Sequence, residues 1–322
     1  MLLTDPLSTD FEKKATRDGY GKGLVAAGKD NSKIVVLDAD LSGSTRTNWF
    51  SKEFPERFFN FGVAEQNLVG QAAGMALSGL IPVASSFAIF VTGRAWEIVR
   101  NSVAYPALNV KLAASHAGIT LGEDGASHQI IEDIAVMRTI PGMTVLVPAD
   151  YWQAYNAIYA AIDFQGPVYI RLGRPGIPMM YGENDKFEIG KAHIMQEGKD
   201  VAFFCTGVMV YEAWKAAALI EKETGKKPWV VNFSTIKPLD KDTLLKVARQ
   251  VKKVYTFEEH NIMGGFGSAV SEVLVEEHPV AMQRIGIEDK FGQSGTVSAL
   301  MNEYGLSAEK LAERLSAQIN EL

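Results

Sequence analysis

Short apolar runs alternate with longer periodic segments along most of this chain. KIVVLDAD (33–40), FFNFG (58–62), IPVASS (81–86), NVKLAAS (109–115), TVLVPAD (144–150) and PVYIRLG (167–173) read as buried strands. Between them the spacing predicts helices over 10–28, 64–79, 87–105, 127–140 and 151–163. The segment 64–79 is rich in small residues, which lets neighbouring backbones pack closely. Strands and helices alternating at this spacing predict a parallel sheet covered on both faces.

The pattern breaks at LGRPGIPMMYGENDKFEIG (172–190), which has glycine, proline and polar residues without period and reads as an interdomain linker. Alternation resumes beyond it, with strands at 200–207, 228–234, 252–260 and 282–289. Helices fall at 210–225, KDTLLKVARQ and GSAVSEVLVEEH. The chain therefore divides into an α/β domain over 1–185 and a second, smaller α/β domain over 190–322.

Composition narrows the function. The 322 residues carry 32 Lys+Arg against 38 Asp+Glu, a net charge of −6. An acidic chain without a basic block is a poor nucleic-acid binder, because phosphate affinity needs clustered cations. The one cysteine, Cys205, excludes an internal disulfide and a multi-cysteine metal site. MLLTDPLSTDFEKK has no basic stretch followed by an apolar core, so no signal peptide is expected. The most apolar stretch, Leu80 to Val91, is shorter than the ~20 residues that a bilayer span needs. Together these predict a cytoplasmic protein with no membrane partner.

Five segments could carry chemistry. In FNFGVAEQN, Glu65 opens a helix, where the dipole favours an acid with or without a further role. In SSFAIFVTGRAW, Phe87 and Phe90 lie three apart, on one helical face if the helix has begun by Phe87, as core residues or as a platform for a flat ligand. ASHAGITLGEDGASHQIIED (114–133) places His116 and His128 in one loop after a strand, where parallel sheets bind ligands. That loop lacks the close His or Cys pairs of a metal site. YIRLGRPG sets Arg171 and Arg174 at a strand end, suited to a phosphate or carboxylate or to a surface pair. EEHNIMGGFGSAV lacks the lysine of a P-loop and the spacing of a dinucleotide fingerprint, and reads as a structural strand–helix turn.

In this order, KATRDGYG, LDADLSGS, GVAEQN, SSFAIF, SHAGITLGEDGASHQ, YIRLGRPG, FSTIKPLD and EEHNIMGGFGSAV resemble the C-terminal half of the thiamine-diphosphate-dependent transketolases. The likeness covers nearly the whole chain. It implies a pyrimidine-binding domain followed by a transketolase C-terminal domain. It also implies roles for individual residues. Glu65 would share a proton with N1′ of the cofactor's aminopyrimidine ring, which helps generate the reactive carbon. Phe87 and Phe90 would form the aromatic platform. Many relatives place a further aromatic near Gly93; here there is none, and Arg94 follows. His128 would bond the donor's oxygens, and Asp124 the acceptor's 2-hydroxyl. Arg17, Ser44, His116 and Arg174 would clamp the sugar's terminal phosphate.

The family binds the cofactor's diphosphate and Mg²⁺ through a GDG motif followed by asparagine, and this sequence contains no GDG. The resemblance therefore implies a split transketolase: no metal ligand on this chain, Mg²⁺ held by an N-terminal subunit bearing GDG, and an α2β2 heterotetramer. The implied reaction moves a two-carbon ketol unit between sugar phosphates, as in the pentose phosphate pathway. The closest alternative is the β subunit of a 2-oxo acid dehydrogenase E1 component. Deoxyxylulose-phosphate synthase, usually with arginine in place of His116, and a non-enzymatic scaffold are further readings.

Overall fold

The computed structural model describes residues 5–8 and 10–322. Met1–Thr4, the start of the segment read as free of a signal peptide, and Thr9 lie outside the described residues. In chain order the strands are β1 (Lys13–Ala15), β2 (Ile34–Asp38), β3 (Phe58–Asn60), β4 (Ile81–Phe87), β5 (Lys111–Ser115), β6 (Thr144–Leu146) and β7 (Val168–Arg171). They continue with β8 (Gly176–Pro178), β9 (His193–Gln196), β10 (Asp200–Cys205), β11 (Trp229–Asn232), β12 (Thr235–Lys237), β13 (Val251–Asn261) and β14 (Ala281–Ile287).

Seven strands form the first sheet in the order β12-β6-β7-β5-β4-β2-β3, all parallel except β12. Strands β2, β4 and β5 are buried along their whole length, as the interior of a parallel sheet covered on both faces requires. The second sheet runs β14-β13-β10-β11-β9, with only β9 antiparallel. The α/β architecture predicted from the alternation is therefore present in both halves.

Helices Thr16–Asp30 and Tyr151–Asp163 cover one face of the first sheet and pack against each other. The glycines of TRDGYGKGL make this approach possible. A Cβ on Gly19 would lie 2.0 Å from the carbonyl oxygen of Tyr151, so only glycine fits.

Several elements differ from the sequence pattern. The helix predicted over 10–28 begins at Thr16, because Lys13–Ala15 pairs antiparallel with β8. The segment 172–190 is not a loose linker: it contains β8, and Met180 and Tyr181 are buried, their amides donating to Asp150 Oδ2 at 2.6 and 2.8 Å. The helix predicted over 87–105 is a broken one. Wide π-type turns at Phe90–Arg94 and Val99–Ala104 flank a short α turn, Trp96–Ile98. The helix predicted over 127–140 shrinks to Asp133–Arg138, since the residues before it belong to a loop held by Gln129. FSTIKPLD supplies β12, which adds to the edge of the first sheet and ties the two halves together. Helix Ala308–Asn320 was legible but not predicted: Leu311, Leu315 and Ile319 are buried at a spacing of four.

Candidate active site

Strands β7, β5, β4 and β2 are neighbours, and their carboxyl ends lie along one edge of the sheet, where parallel α/β sheets usually have their ligand groove. The end of β2 is fixed by Asp38, which is fully buried. Its carboxylate accepts from Leu41 N at 2.6 Å, Thr45 Oγ1 at 2.7 Å and Thr47 Oγ1 at 2.8 Å. These bonds shape the turn that carries Ser44. Burial raises the pKa of Asp38 while the three donors oppose that rise.

One end of the groove holds Glu65, the first residue of helix Glu65–Leu77. Its side chain is 1% exposed, and Oε2 accepts from Arg94 at 3.0 Å. Oε1 is buried and has no hydrogen-bond partner. An orphaned buried carboxylate oxygen is costly unless a ligand satisfies it. Phe90, half-buried, lies nearby with the Arg94 guanidinium 5.0 Å from its ring centre. A flat heterocycle whose ring nitrogen can share a proton with the Glu65 carboxyl suits this pairing, so the residues present fit the pyrimidine half of thiamine diphosphate. Among the described residues no group of three or more His, Cys, Asp and Glu could hold a metal ion.

The two phenyl rings are not equivalent. Phe87 is buried and stacked on His116 at 3.9 Å, whereas Phe90 keeps an open aspect. The rings of Phe87 and Phe90 are 6.0 Å apart and within 8° of parallel. His128 sits edge-on to both, at 6.3 Å from Phe87 and 5.6 Å from Phe90.

The other end of the groove is cationic. Arg17 donates to the backbone carbonyl of Ser44 and to His116 Nε2, each at 3.0 Å. A guanidinium can only donate, so His116 Nε2 is the acceptor and Nδ1 carries the proton, which it gives to Ser115 Oγ at 2.8 Å. Burial, helped by Arg17, pushes the pKa of His116 down to about 3, so the imidazole is neutral. As arranged here His116 orients Arg17 rather than offering its own N–H to an anion. Arg17 Nε is buried without a partner. Burial lowers the pKa of Arg17, as does the proximity of Arg46 and Arg174. Arg17 bonds the histidine, and Arg46 and Arg174 lie close enough to act on it electrostatically, although Arg46 is paired with Asp18; this positive surrounding suits an anion. Ser44 takes part here through its carbonyl. Arg174 is turned to Leu121 O and to Glu123, 2.9 Å away. The side chain of Asp124 is exposed on the same loop and makes no hydrogen bond or ion pair among the described residues.

The second half braces this loop from behind. Glu259 Oε1 accepts from Thr120 N at 2.6 Å, and Ser294 Oγ donates to the Glu123 carbonyl at 2.6 Å. Arg171, read above as a possible anion ligand, is instead buried. It donates to Asp133 Oδ2 at 2.8 Å and to the Glu259 carbonyl at 2.9 Å. The GGFG turn has a structural role, as predicted. Phe266 N and Gly267 N donate to the buried carboxylate of Glu258, so the helix start already holds an anion from its own chain. Sequence reading missed Arg46, Asp133 and Glu259. Each depends on long-range approach, and only the left-handed φ of 72° at Arg46 marks an unusual local conformation.

Comparisons with known proteins agree with this architecture. Residues 12–179 match the transketolase pyrimidine-binding domain, and residues 190–311 the transketolase C-terminal domain. A Methanocaldococcus jannaschii protein assigned as a transketolase C-terminal section is 49% identical over 95% of this chain and 96% of its own length. The 6-deoxy-6-sulfo-D-fructose transketolase subunit of a Clostridium species is 40% identical over 96% of both chains. A solved structure described as a split gene transketolase, inactive β4 tetramer, superposes with a TM-score of 0.88 at 50% identity, covering 96% of this chain and 99% of that one. The chain spans about half of full-length transketolases such as the human enzyme, 49% of whose length it covers at 35% identity. On these matches, and on a groove built at the strand ends of a parallel sheet, the chain belongs to the transketolase family.

Proposed function

We propose that this chain is the C-terminal subunit of a two-chain, thiamine-diphosphate-dependent transketolase that transfers a two-carbon ketol unit between sugar phosphates. The observation that carries the reading is the bare Oε1 of Glu65, whose Arg94 partner lies over Phe90, connected through the Phe90, Phe87 and His116 rings to Arg17. The cofactor, when bound, supplies the carbon that adds to the ketose carbonyl and keeps the two-carbon unit. Glu65 Oε1 would share a hydrogen-bonded proton with N1′ of the aminopyrimidine ring, and Phe90, with Phe87 behind it, would support the ring face. His128 reaches the substrate's oxygens, and Asp124 binds the acceptor's hydroxyl. Arg17 and Arg174, with Ser44 and neutral His116 as supports, bind the terminal anion.

The diphosphate and Mg²⁺ fall to an N-terminal subunit carrying GDG, in an α2β2 assembly in the cytoplasm. The sequence itself contains no GDG. The reading also draws support from similar proteins covered over 96% of their own length and called a section or a subunit. Both domain models and the relatives reported above are transketolase ones, which disfavours the dehydrogenase alternative.

Guanidinium groups accept phosphate and sulfonate alike, and similar subunits are named for 6-deoxy-6-sulfo-D-fructose and for apulose 4-phosphate. We take a phosphorylated ketose such as xylulose 5-phosphate as the donor and ribose 5-phosphate as an acceptor. The test is co-expression with a GDG-bearing subunit and an assay of ketol transfer across phosphorylated, sulfonated and branched donors. Transfer from the phosphorylated donor supports the reading. A cofactor-loaded complex that transfers from none of them refutes it.

A further inference from the structure

Arg94 lies outside every role given so far, yet it is the only group that touches the Glu65 carboxylate among the described residues. The geometry points to Arg94 as the positioning residue that reserves one oxygen of Glu65 for the cofactor's aminopyrimidine ring, an inference that rests on the function proposed above.

Three features support it. First, the contact is one-sided. A guanidinium can grip both oxygens of a carboxylate in parallel, but Arg94 donates through Nη1 to Oε2 at 3.0 Å and leaves Oε1 bare. Second, backbone geometry dictates this approach. Arg94 is the last residue of the π-type turn Phe90–Arg94, closed by Ala95 N donating to Phe90 O at 3.2 Å. Thr92 Oγ1, bonded to Ala88 O at 2.7 Å, and Trp96 Nε1, bonded to Val136 O at 3.1 Å, anchor the turn on either side of Arg94. A π-type turn accommodates an extra residue in a helix and is common at functional sites. Third, the guanidinium reaches Glu65 past the ring of Phe90, 5.0 Å from its centre. The ring that would carry the pyrimidine and the carboxylate that would bond it are therefore held by one side chain. Arg94 is half-exposed and Glu65 is buried, so the cation comes in from the open side of the groove.

Without Arg94 the Glu65 side chain is free to turn, and neither oxygen is reserved. The test measures thiamine diphosphate affinity, in the presence of Mg²⁺, by quenching of tryptophan fluorescence. The protein is the complex of this chain with its GDG-bearing partner. The forms compared are wild type, Arg94→Met, Arg94→Lys, Glu65→Gln and Glu65→Gln with Arg94→Met. Circular dichroism and thermal unfolding show that each form is folded. We expect Arg94→Met to weaken binding about tenfold, the loss of one charge-assisted contact at a buried group. Arg94→Lys should recover part of it. In the Glu65→Gln background the Met substitution should add less than about twofold, since its effect passes through Glu65. Wild-type or tighter binding by folded Arg94→Met overturns the inference, and so do penalties that multiply independently in the double variant. Failure of the wild-type complex to bind the cofactor overturns the proposed function and this inference with it.

Discussion

Replacing Gly118 with alanine tests how the second half of the chain sets the loop that follows β5. Gly118 has φ 81° and ψ −175°, a region used almost only by glycine. An alanine held there costs about 1–3 kcal/mol in backbone strain. The new methyl would also sit 2.2 Å from Cδ of Glu259, so the carboxylate must leave. That breaks its 2.6 Å bond from Thr120 N, and a hydrogen bond to a charged group contributes about 1.5–3 kcal/mol. Both costs fall on one buried contact, and we expect a loss of about 4 kcal/mol. Urea unfolding followed by tryptophan fluorescence reads this as a fall in the midpoint. In the Glu259→Ala background the steric part of the cost disappears, so Gly118→Ala should cost about 2 kcal/mol there. A loss below about 1 kcal/mol in the single variant would show that the loop does not depend on this brace.

Three further outcomes follow from the buried charges. Asp133→Asn should destabilise the protein by about 1.5–3 kcal/mol in urea unfolding, because the buried Arg171 guanidinium loses its 2.8 Å carboxylate partner and keeps only Glu259, 3.9 Å away. His116, with its pKa pushed down to about 3 from an ordinary 6.5, should show an NMR ring signal that does not move between about pH 5 and pH 8. Its contribution to stability is complete above the unfolded value of 6.5 and is lost as pH falls toward about 3. Glu258 titrates the other way. Burial raises its pKa from 4.5 to about 7, so its contribution is complete below 4.5 and is lost as pH rises through about 7. Urea midpoints measured across that window should decline with pH in wild type and decline less in Glu258→Gln; an equal decline would remove Glu258 as the cause.

The alternation of apolar runs and periodic segments was enough to predict both α/β halves, because parallel strands buried on both faces have to be continuously apolar. It was not enough to place β12. Thr235–Lys237 reads as a short run after a strand of the second half, and only tertiary contact sends it to the edge of the first sheet. The broken helix at 90–104 escaped for a similar reason: apolar spacing cannot distinguish a π-type turn from an α turn. Of the candidate site, the strand-end residues were the legible part. Arg17 and His116, which the resemblance groups in one clamp, are bonded to each other, and Phe87, which it groups with Phe90, stacks on His116 as well. Arg171 and Arg174 show where sequence stops. They are three positions apart in one motif, yet one is buried against Asp133 and the other faces the groove edge. Their difference is set by Asp133 and Glu259, both distant in sequence. Glu65 was legible as a helix-start acid, but the pairing of only one of its two oxygens, with Arg94, was visible only in the folded chain.

Calorimetric titration of thiamine diphosphate with Mg²⁺ tests the central claim most directly. It should be run on this chain, on its GDG-bearing partner, on the two together, and on the pair carrying Glu65→Ala. The account predicts tight binding only by the wild-type pair, with weak binding by either chain alone and a clear loss in the Glu65→Ala pair. Tight binding by this chain by itself, or binding unaffected by Glu65→Ala, would contradict it.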